Sequence, residues 1–244
     1  SDGAPTAPLP MDDIYELLAL ARLAESDACA SGIIEQISLS VLQNRKKYAP
    51  QQQTSIAQEI EDLAVQMLPN PAWIRHEGYK ILWTTFARRI RDRKLHCAND
   101  VMRAVNNLPN KGDACFILTY VAKWPAEKDS ERLLQEAARI ARGLPVGTER
   151  VEHLRLVALA ALNTHCSGAK HFAIEALKAA SRCEQGDMES VQRSIMDAAH
   201  GKDRDLAGAI ADAVDTDRAR IAARRERAKA SDDLAELETR RGLI

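Results

Sequence analysis

The chain has 244 residues, enough for one elongated domain or two compact ones, and its formal net charge is −1. With 34 basic and 35 acidic side chains, it lacks the global charge that would attract nucleic acid or an anionic membrane. No apolar run approaches the roughly 20 residues that a membrane-spanning helix needs. Helix-favouring residues dominate and alternating Val, Ile and Thr runs are absent, so we expect an all-α protein.

Helices are predicted in chain order from apolar residues spaced three and four apart. Asp12 is the predicted N-cap of the first helix, and Thr54 that of the third. The second helix is expected to open at Ser31 and to stop before Pro50. The later helices are predicted at 72–91, 97–107, 113–124, 130–142, 149–164, 168–182, 188–199 and 203–214.

The two ends of the chain differ from the part between them. Residues 1–10 contain three prolines and no signal-peptide core, so we interpret them as a flexible lead-in to a helical domain over 11–216. A charged helix is predicted over 217–244, with arginines in its first half and acidic residues in its second. Because it has few apolar residues, we expect it to be solvated and to cover the end of the helical domain.

A Leu-Pro pair recurs at Leu68-Pro69, Leu108-Pro109 and Leu144-Pro145, and its prolines are 40 and 36 residues apart. Proline cannot continue a helix, so these pairs mark corners between helices. Each interval holds two predicted helices. We therefore expect about five two-helix units, with all three prolines at the same end of the molecule.

The Leu-Pro corners and paired amphipathic helices over 31–216 resemble an α-solenoid of the HEAT or armadillo kind. Leu144-Pro145 shows the pattern well, because it is followed by apolar residues at helical spacing, namely Val151, Leu154, Val157, Ala158 and Leu162. The resemblance implies a right-handed superhelix of about five antiparallel helix pairs. An irregular helical bundle is the alternative.

Binding of another protein or peptide is the leading functional prediction, because solenoids present long surfaces to partners. The second helix of each unit is expected to form the concave face. Polar residues left over there after core packing are the predicted partner contacts: Glu59, Asp62, Arg103, Arg139 and Lys178. No catalytic motif is present, and the composition would suit a domain of a larger bacterial effector protein.

Five widely spaced cysteines without a CxxC motif are typical of reduced thiols in a cytoplasmic protein: Cys29, Cys97, Cys115, Cys166 and Cys183. Cys97 and Cys115 are expected to be reduced and at least partly buried. Cys183 follows a predicted helix among polar residues, so we expect it to be the most readily alkylated. Its surroundings loosely resemble the loop cysteine of bacterial effector ubiquitin ligases, which makes a catalytic Cys183 the alternative function. Neither a metal site nor a cofactor is predicted.

A basic run suggests a further alternative, a HEAT-like nucleic-acid-binding protein. The run comprises Arg88, Arg89, Arg91, Arg93 and Lys94. Helical-repeat DNA glycosylases bind DNA along a basic face and use aromatic residues to hold the base. Trp83 and Phe86 lie near the run, but their helical spacing predicts that they belong to the core.

Overall fold

The computed structural model describes residues 7–66, 76–92, 98–124, 129–183 and 188–216. All regular structure in these ranges is helical, which confirms the all-α prediction. The α-helices are α1 Met11–Arg22, α2 Asp27–Gln43, α3 Pro50–Gln66, α4 His76–Arg91, α5 Ala98–Asn106, α6 Lys111–Ala122, α7 Ser130–Gly143, α8 Thr148–Asn163, α9 Ala169–Ser181, α10 Met188–His200 and α11 at 204–216. A 3₁₀ turn, Arg45–Lys47, separates α2 from α3. None of the described helices is both long and apolar enough to cross a membrane.

Two predicted N-caps are wrong because their helices begin earlier. Helix α1 begins directly after Pro10, so Asp12 lies in the first turn, where its charge favours the positive end of the helix dipole. Helix α3 begins at Pro50, whose missing N–H costs nothing in a first turn. Thr54 is therefore internal, and its hydroxyl donates to the Pro50 carbonyl at 3.0 Å.

The predicted opening of α2 at Ser31 is also wrong. The helix is capped by Ser26, whose hydroxyl oxygen accepts from the backbone N–H of Cys29 at 3.2 Å. Ser31 is buried inside the helix and accepts a hydrogen bond from the Trp83 indole at 2.8 Å. It provides the partner that the N–H of a buried tryptophan needs.

The even-numbered helices form one continuous row, in which α2 packs on α4, α4 on α6, α6 on α8 and α8 on α10. Odd-numbered helices pack mainly on their neighbours in sequence, as α3 does on α4, α7 on α6 and α9 on α8. They contact one another little. All extensive packing between helices in the described ranges joins elements no more than two positions apart in chain order.

Glycines allow neighbouring helices of the even-numbered row to approach one another closely. A Cβ built on Gly78, near the start of α4, would lie 3.3 Å from the Ile117 side chain of α6 and 3.5 Å from Cβ of Asp113, near the start of α6. One built on Gly112, near the start of α6, would lie 2.9 Å from His153 Nε2 of α8. Helices α4, α6 and α8 therefore begin at the same end of the molecule.

Two of the three predicted corners can be placed. Pro109 lies just before α6 and Pro145 just before α8, so both are at the end where these helices begin. Pro69 lies outside the described residues. The predicted common end is thus found for two of the three prolines.

The largest buried side chains lie on α4. Trp83 and Phe86 are 1% and 0% exposed, which confirms that they are core residues. Phe86 stacks on Trp124 after α6, with ring centroids 4.4 Å apart. Stacked aromatic rings stabilise by about 1 kcal/mol beyond the area they bury.

A tight turn after α8 sets the position of α9. His165 has φ 53°, the left-handed conformation that commonly ends a helix. The backbone N–H of Cys166 then donates to the Ala161 carbonyl at 3.0 Å. The chain reverses at this turn, and α9 returns along α8.

Candidate functional site

A pocket of about 580 Å³ lies between α7 and α9, above the first half of α8. It forms because α7 and α9 both pack on α8 but not extensively on each other. We call this pocket the α7–α9 groove. Its lining includes five basic residues, Arg142, Arg150, His171, Lys178 and Arg182, and the acidic residue Glu175.

Helix α9 supplies one wall of the groove. His171, Glu175, Lys178 and Arg182 are spaced four, three and four residues apart, which places them on one helical face. The remaining faces carry the apolar residues Phe172, Ala173, Ala176 and Leu177, which are buried. The helix is thus held by its apolar faces and presents its charged face to the groove.

An ion pair joins the two walls. Arg142 near the end of α7 makes a bidentate contact with Glu175 of α9, with Nε to Oε1 at 2.5 Å and Nη2 to Oε2 at 2.7 Å. This hydrogen bonding raises the pKa of Arg142. His171 Nε2 lies 3.9 Å from Oε2 of the same carboxylate. Glu175 is the only acidic residue among the described residues that line the groove.

Arg150 reaches the groove from the first turn of α8. Its side chain is half-buried, and within the described residues its Nε has no hydrogen-bond partner although it is shielded from solvent. A buried donor without an acceptor costs about 1–3 kcal/mol, and the rest of the Arg150 side chain lines the groove.

The floor of the groove is aliphatic. Val151 and Leu154 of α8 form it together with Ile174 of α9, and Val146 stands 78% exposed at the edge. No Phe, Tyr or Trp is among the described lining residues. Basic groups around an aliphatic floor suit a ligand that carries both negative charge and an aliphatic side chain.

Cys183 also lines the groove, just beyond the end of α9, but its place does not form a catalytic pair. His171 lines the same groove twelve residues earlier, and at 1.5 Å per residue this puts the two about 18 Å apart along the helix. A histidine base must lie within hydrogen-bond reach of the thiol that it activates. His171 therefore cannot activate Cys183.

Cys183 is half-buried whereas Cys29 is exposed, so exposure favours Cys29 over the predicted Cys183 as the most readily alkylated thiol. Cys115 is fully buried as predicted, and burial raises the pKa of its thiol to about 12. Cys97 lies outside the described residues. No group of three or more metal-ligating side chains comes together in the part of the chain that the structure describes.

Of the predicted partner contacts, Lys178 lines the groove and the other four lie outside it. Arg139 is on α7 and pairs with Glu136 through bonds of 2.8 and 2.7 Å. Arg103 is exposed on α5.

The remaining two predicted contacts, Glu59 and Asp62, lie on α3, far along the chain from the groove. Glu59 pairs with Arg22 of α1, and Asp62 accepts from the Gln58 side chain at 3.0 Å. The five predicted residues are thus spread over four odd-numbered helices and do not form one cluster.

The predicted nucleic-acid run does not form one basic face either. Arg89 is 7% exposed and its guanidinium lies 5.8 Å from the ring centre of Trp124. Arg91 makes a bidentate contact with Glu61 of α3 at 2.9 and 3.0 Å. Arg88 is exposed. The other two residues, Arg93 and Lys94, lie outside the described residues.

Sequence reasoning missed Arg142, Arg150, Glu175 and Arg182 as a group. The regular spacing of charges on α9 was a readable signal, because it repeats at helical intervals on a predicted amphipathic helix. Nothing in the sequence, however, shows that the end of α7 faces the middle of α9.

Comparison with known proteins finds no matching family model, no similar curated protein and no similar solved structure. Inferences about function therefore rest on the sequence and on the geometry described above.

Proposed function

We propose that this chain is a protein-interaction scaffold, a HEAT- or armadillo-like α-solenoid whose surface binds a partner protein or peptide. Its helix pairs are proposed to form a right-handed superhelix, and its free thiols suit a cytoplasmic protein.

One observation carries this proposal: among the described helices, extensive packing joins only those that are close in chain order. In a solenoid each repeat contacts its neighbours alone, and the stack presents a long surface. In a compact bundle, by contrast, helices distant in sequence share one core. The observed pattern favours the solenoid over the irregular bundle.

The packing of the even-numbered and odd-numbered helices also supports a binding function. Even-numbered helices pack closely side by side, whereas α7 and α9 stand apart and leave a groove above α8. An aliphatic floor surrounded by charged groups resembles the anchor sites of protein interfaces, where an apolar centre is enclosed by a polar rim.

A cysteine-dependent enzyme is the second candidate, because Cys183 and His171 line the same groove. Their separation of about 18 Å along α9 argues against a thiol–imidazole pair. The scaffold and the enzyme predict opposite results for one substitution, Cys183→Ser.

The test is affinity capture with the full chain from a lysate of the source organism, followed by purification of the captured partner and calorimetric titration. We expect Cys183→Ser to bind the purified partner within about twofold of wild type. A charge reversal on the binding surface should weaken binding by about tenfold or more. If Cys183→Ser failed to bind the partner while every reversal variant bound it fully, the scaffold proposal would be replaced by the enzyme proposal.

A further inference from the structure

We propose that the α7–α9 groove binds a short acidic peptide segment of a partner protein, with carboxylates on its basic walls and an aliphatic side chain on its floor. This inference rests on the proposed scaffold function and specifies the chemistry of the partner.

Most of the charged residues that line the groove are basic. Arg142, Arg150, Lys178 and Arg182 reach the groove from three helices, and Glu175 is the only carboxylate among the described lining residues. Pairing with Arg142 neutralises that carboxylate. Arg150 and Arg182 add further positive charge to this partly enclosed space, so a ligand with several negative charges is favoured.

Arg150 gives the groove a guanidinium group that can bind a carboxylate. Within the described residues, Arg150 Nε is buried without an acceptor, and it lies on α8, between the two walls. A ligand carboxylate would bind the part of the Arg150 side chain that lines the groove, and guanidinium–carboxylate bonds are among the strongest that proteins make. The Arg142–Glu175 contact shows that the same groove already accommodates this geometry.

The aliphatic floor of the groove favours a peptide over a nucleic acid. Single-stranded nucleic acids bind through aromatic side chains on which their bases stack. The described lining has no Phe, Tyr or Trp, and its floor consists of branched aliphatic residues such as Val151, Leu154 and Ile174. An aliphatic side chain such as leucine packs on this surface, whereas a planar base gains little there.

The length of the groove determines how many residues of the partner peptide it can hold. The charged face of α9 runs from His171 to Arg182, eleven residues or about 16 Å along the helix. An extended peptide covers about 3.3 Å per residue, so about five residues span this face. The volume of about 580 Å³ is within the range of pockets that enclose a small ligand. The groove therefore holds a short anchor segment.

The probe is a fluorescein-labelled peptide, Glu-Glu-Leu-Glu-Glu, titrated with the full chain and followed by fluorescence anisotropy. Two peptides isolate the recognised features: Gln-Gln-Leu-Gln-Gln removes the charge, and Glu-Glu-Gly-Glu-Glu removes the aliphatic side chain. We expect each to bind at least about tenfold more weakly than the probe. Raising the salt concentration should weaken binding of the probe.

The variants are Lys178→Glu and Arg182→Glu, both on the groove face of α9, and each should weaken probe binding by about tenfold or more. Arg139→Glu is the matched control. It reverses an exposed arginine on α7, three residues before Arg142 but outside the groove, and should bind the probe within about twofold of wild type. Circular dichroism and thermal melting check that all three variants fold.

The inference is overturned if the probe does not bind, if both α9 reversals bind it as wild type does, or if a twelve-residue oligothymidylate binds more tightly through the same residues. If a captured partner bound both α9 reversal variants as tightly as wild type, this inference would be wrong, but the scaffold proposal would stand. Capture of no partner, together with groove-dependent binding of the probe, would sink the scaffold and leave the groove as a peptide site.

Discussion

The basic run at the end of α4 and the basic walls of the α7–α9 groove contain similar side chains in different settings. On α4, Arg89 is buried against Trp124 and Arg91 is paired with Glu61. In the groove, Lys178 and Arg182 stand with other cations around a single described acid. The first region uses its arginines to join helices, whereas the second places its cations around a pocket.

The difference follows from helix geometry. Successive residues on a helix are about 100° apart, so a contiguous run of arginines points in all directions and reaches both core and solvent. Residues three and four apart share a face, as Lys178 and Arg182 do on α9. A basic surface is therefore built from charges that are spaced in the sequence and brought together by packing.

The largest expected effect tests the structural role of the α4 run. We expect Arg89→Ala to lower the free energy of unfolding by about 2–3 kcal/mol, because it removes a cation–π contact and the packing of a buried side chain. Arg88→Ala is the control, since Arg88 is exposed on the same turn, and it should change stability by less than about 0.5 kcal/mol. Urea unfolding measures both. Equal effects from the two variants would show that the run is not divided between core and surface.

The next effect concerns the helix that forms the floor of the groove. Gly112→Ala would place a Cβ 2.6 Å from Glu149 Oε1 and 2.9 Å from His153 Nε2. The Glu149 side chain is exposed and can move, but His153 is buried, so α6 and α8 must separate. We expect a loss of about 1–2 kcal/mol in the free energy of unfolding.

Gly32→Ala is the matched control for Gly112→Ala. A Cβ on Gly32 meets nothing within 4 Å, and the position lies inside α2. The substitution should therefore stabilise by up to about 1 kcal/mol, because alanine is a better helix former. Thermal melting compares the two, and destabilisation by both would mean that the close approach of α6 and α8 is not the cause.

Much of the fold could be predicted because it is encoded locally. Apolar spacing predicted the helices, and the prolines at Pro109 and Pro145 predicted two of the corners. Helix starts were less predictable. Ser31, for example, has the chemistry of an N-cap but serves as the acceptor for Trp83, which is 52 residues away in sequence. The local sequence pattern does not reveal a hydrogen-bond partner that is so distant along the chain.

The site was less predictable than the fold, because it depends on contacts between helices. Lys178 was identified as a surface residue, and it does line the groove. The bond between Arg142 and Glu175 could not be predicted, since it depends on the gap between α7 and α9. Arg139 and Arg142 look equivalent in the sequence, yet only Arg142 reaches the groove.

A smaller effect is expected from removing the acid of the groove. Glu175→Gln should lower the free energy of unfolding by less than about 1 kcal/mol, because the Arg142 side chain in this pair is 42% exposed. It should also tighten binding of the Glu-Glu-Leu-Glu-Glu probe by about two- to fivefold, because it releases a cation and removes repulsion. Glu136→Gln is the control, since Glu136 pairs with Arg139 outside the groove. If both variants changed probe affinity equally, the cause would be the net charge of the protein and not the groove.

The smallest expected effect is on the rate at which thiols are modified, which reports where the peptide lies. Saturating probe should slow iodoacetamide modification of Cys183 by about two- to fivefold, because Cys183 lines the groove at the end of α9 and becomes partly covered. Cys29 is exposed on α2 and should react at an unchanged rate, so it reports any general effect of the peptide on the reagent. Cys115 should stay unmodified throughout, because burial raises the pKa of its thiol to about 12 and its labelling would reveal unfolding. Peptide mass mapping over time gives all three rates from one sample. Protection of Cys29 to the same extent as Cys183 would place the peptide elsewhere and remove the distinction between the groove and the rest of the surface.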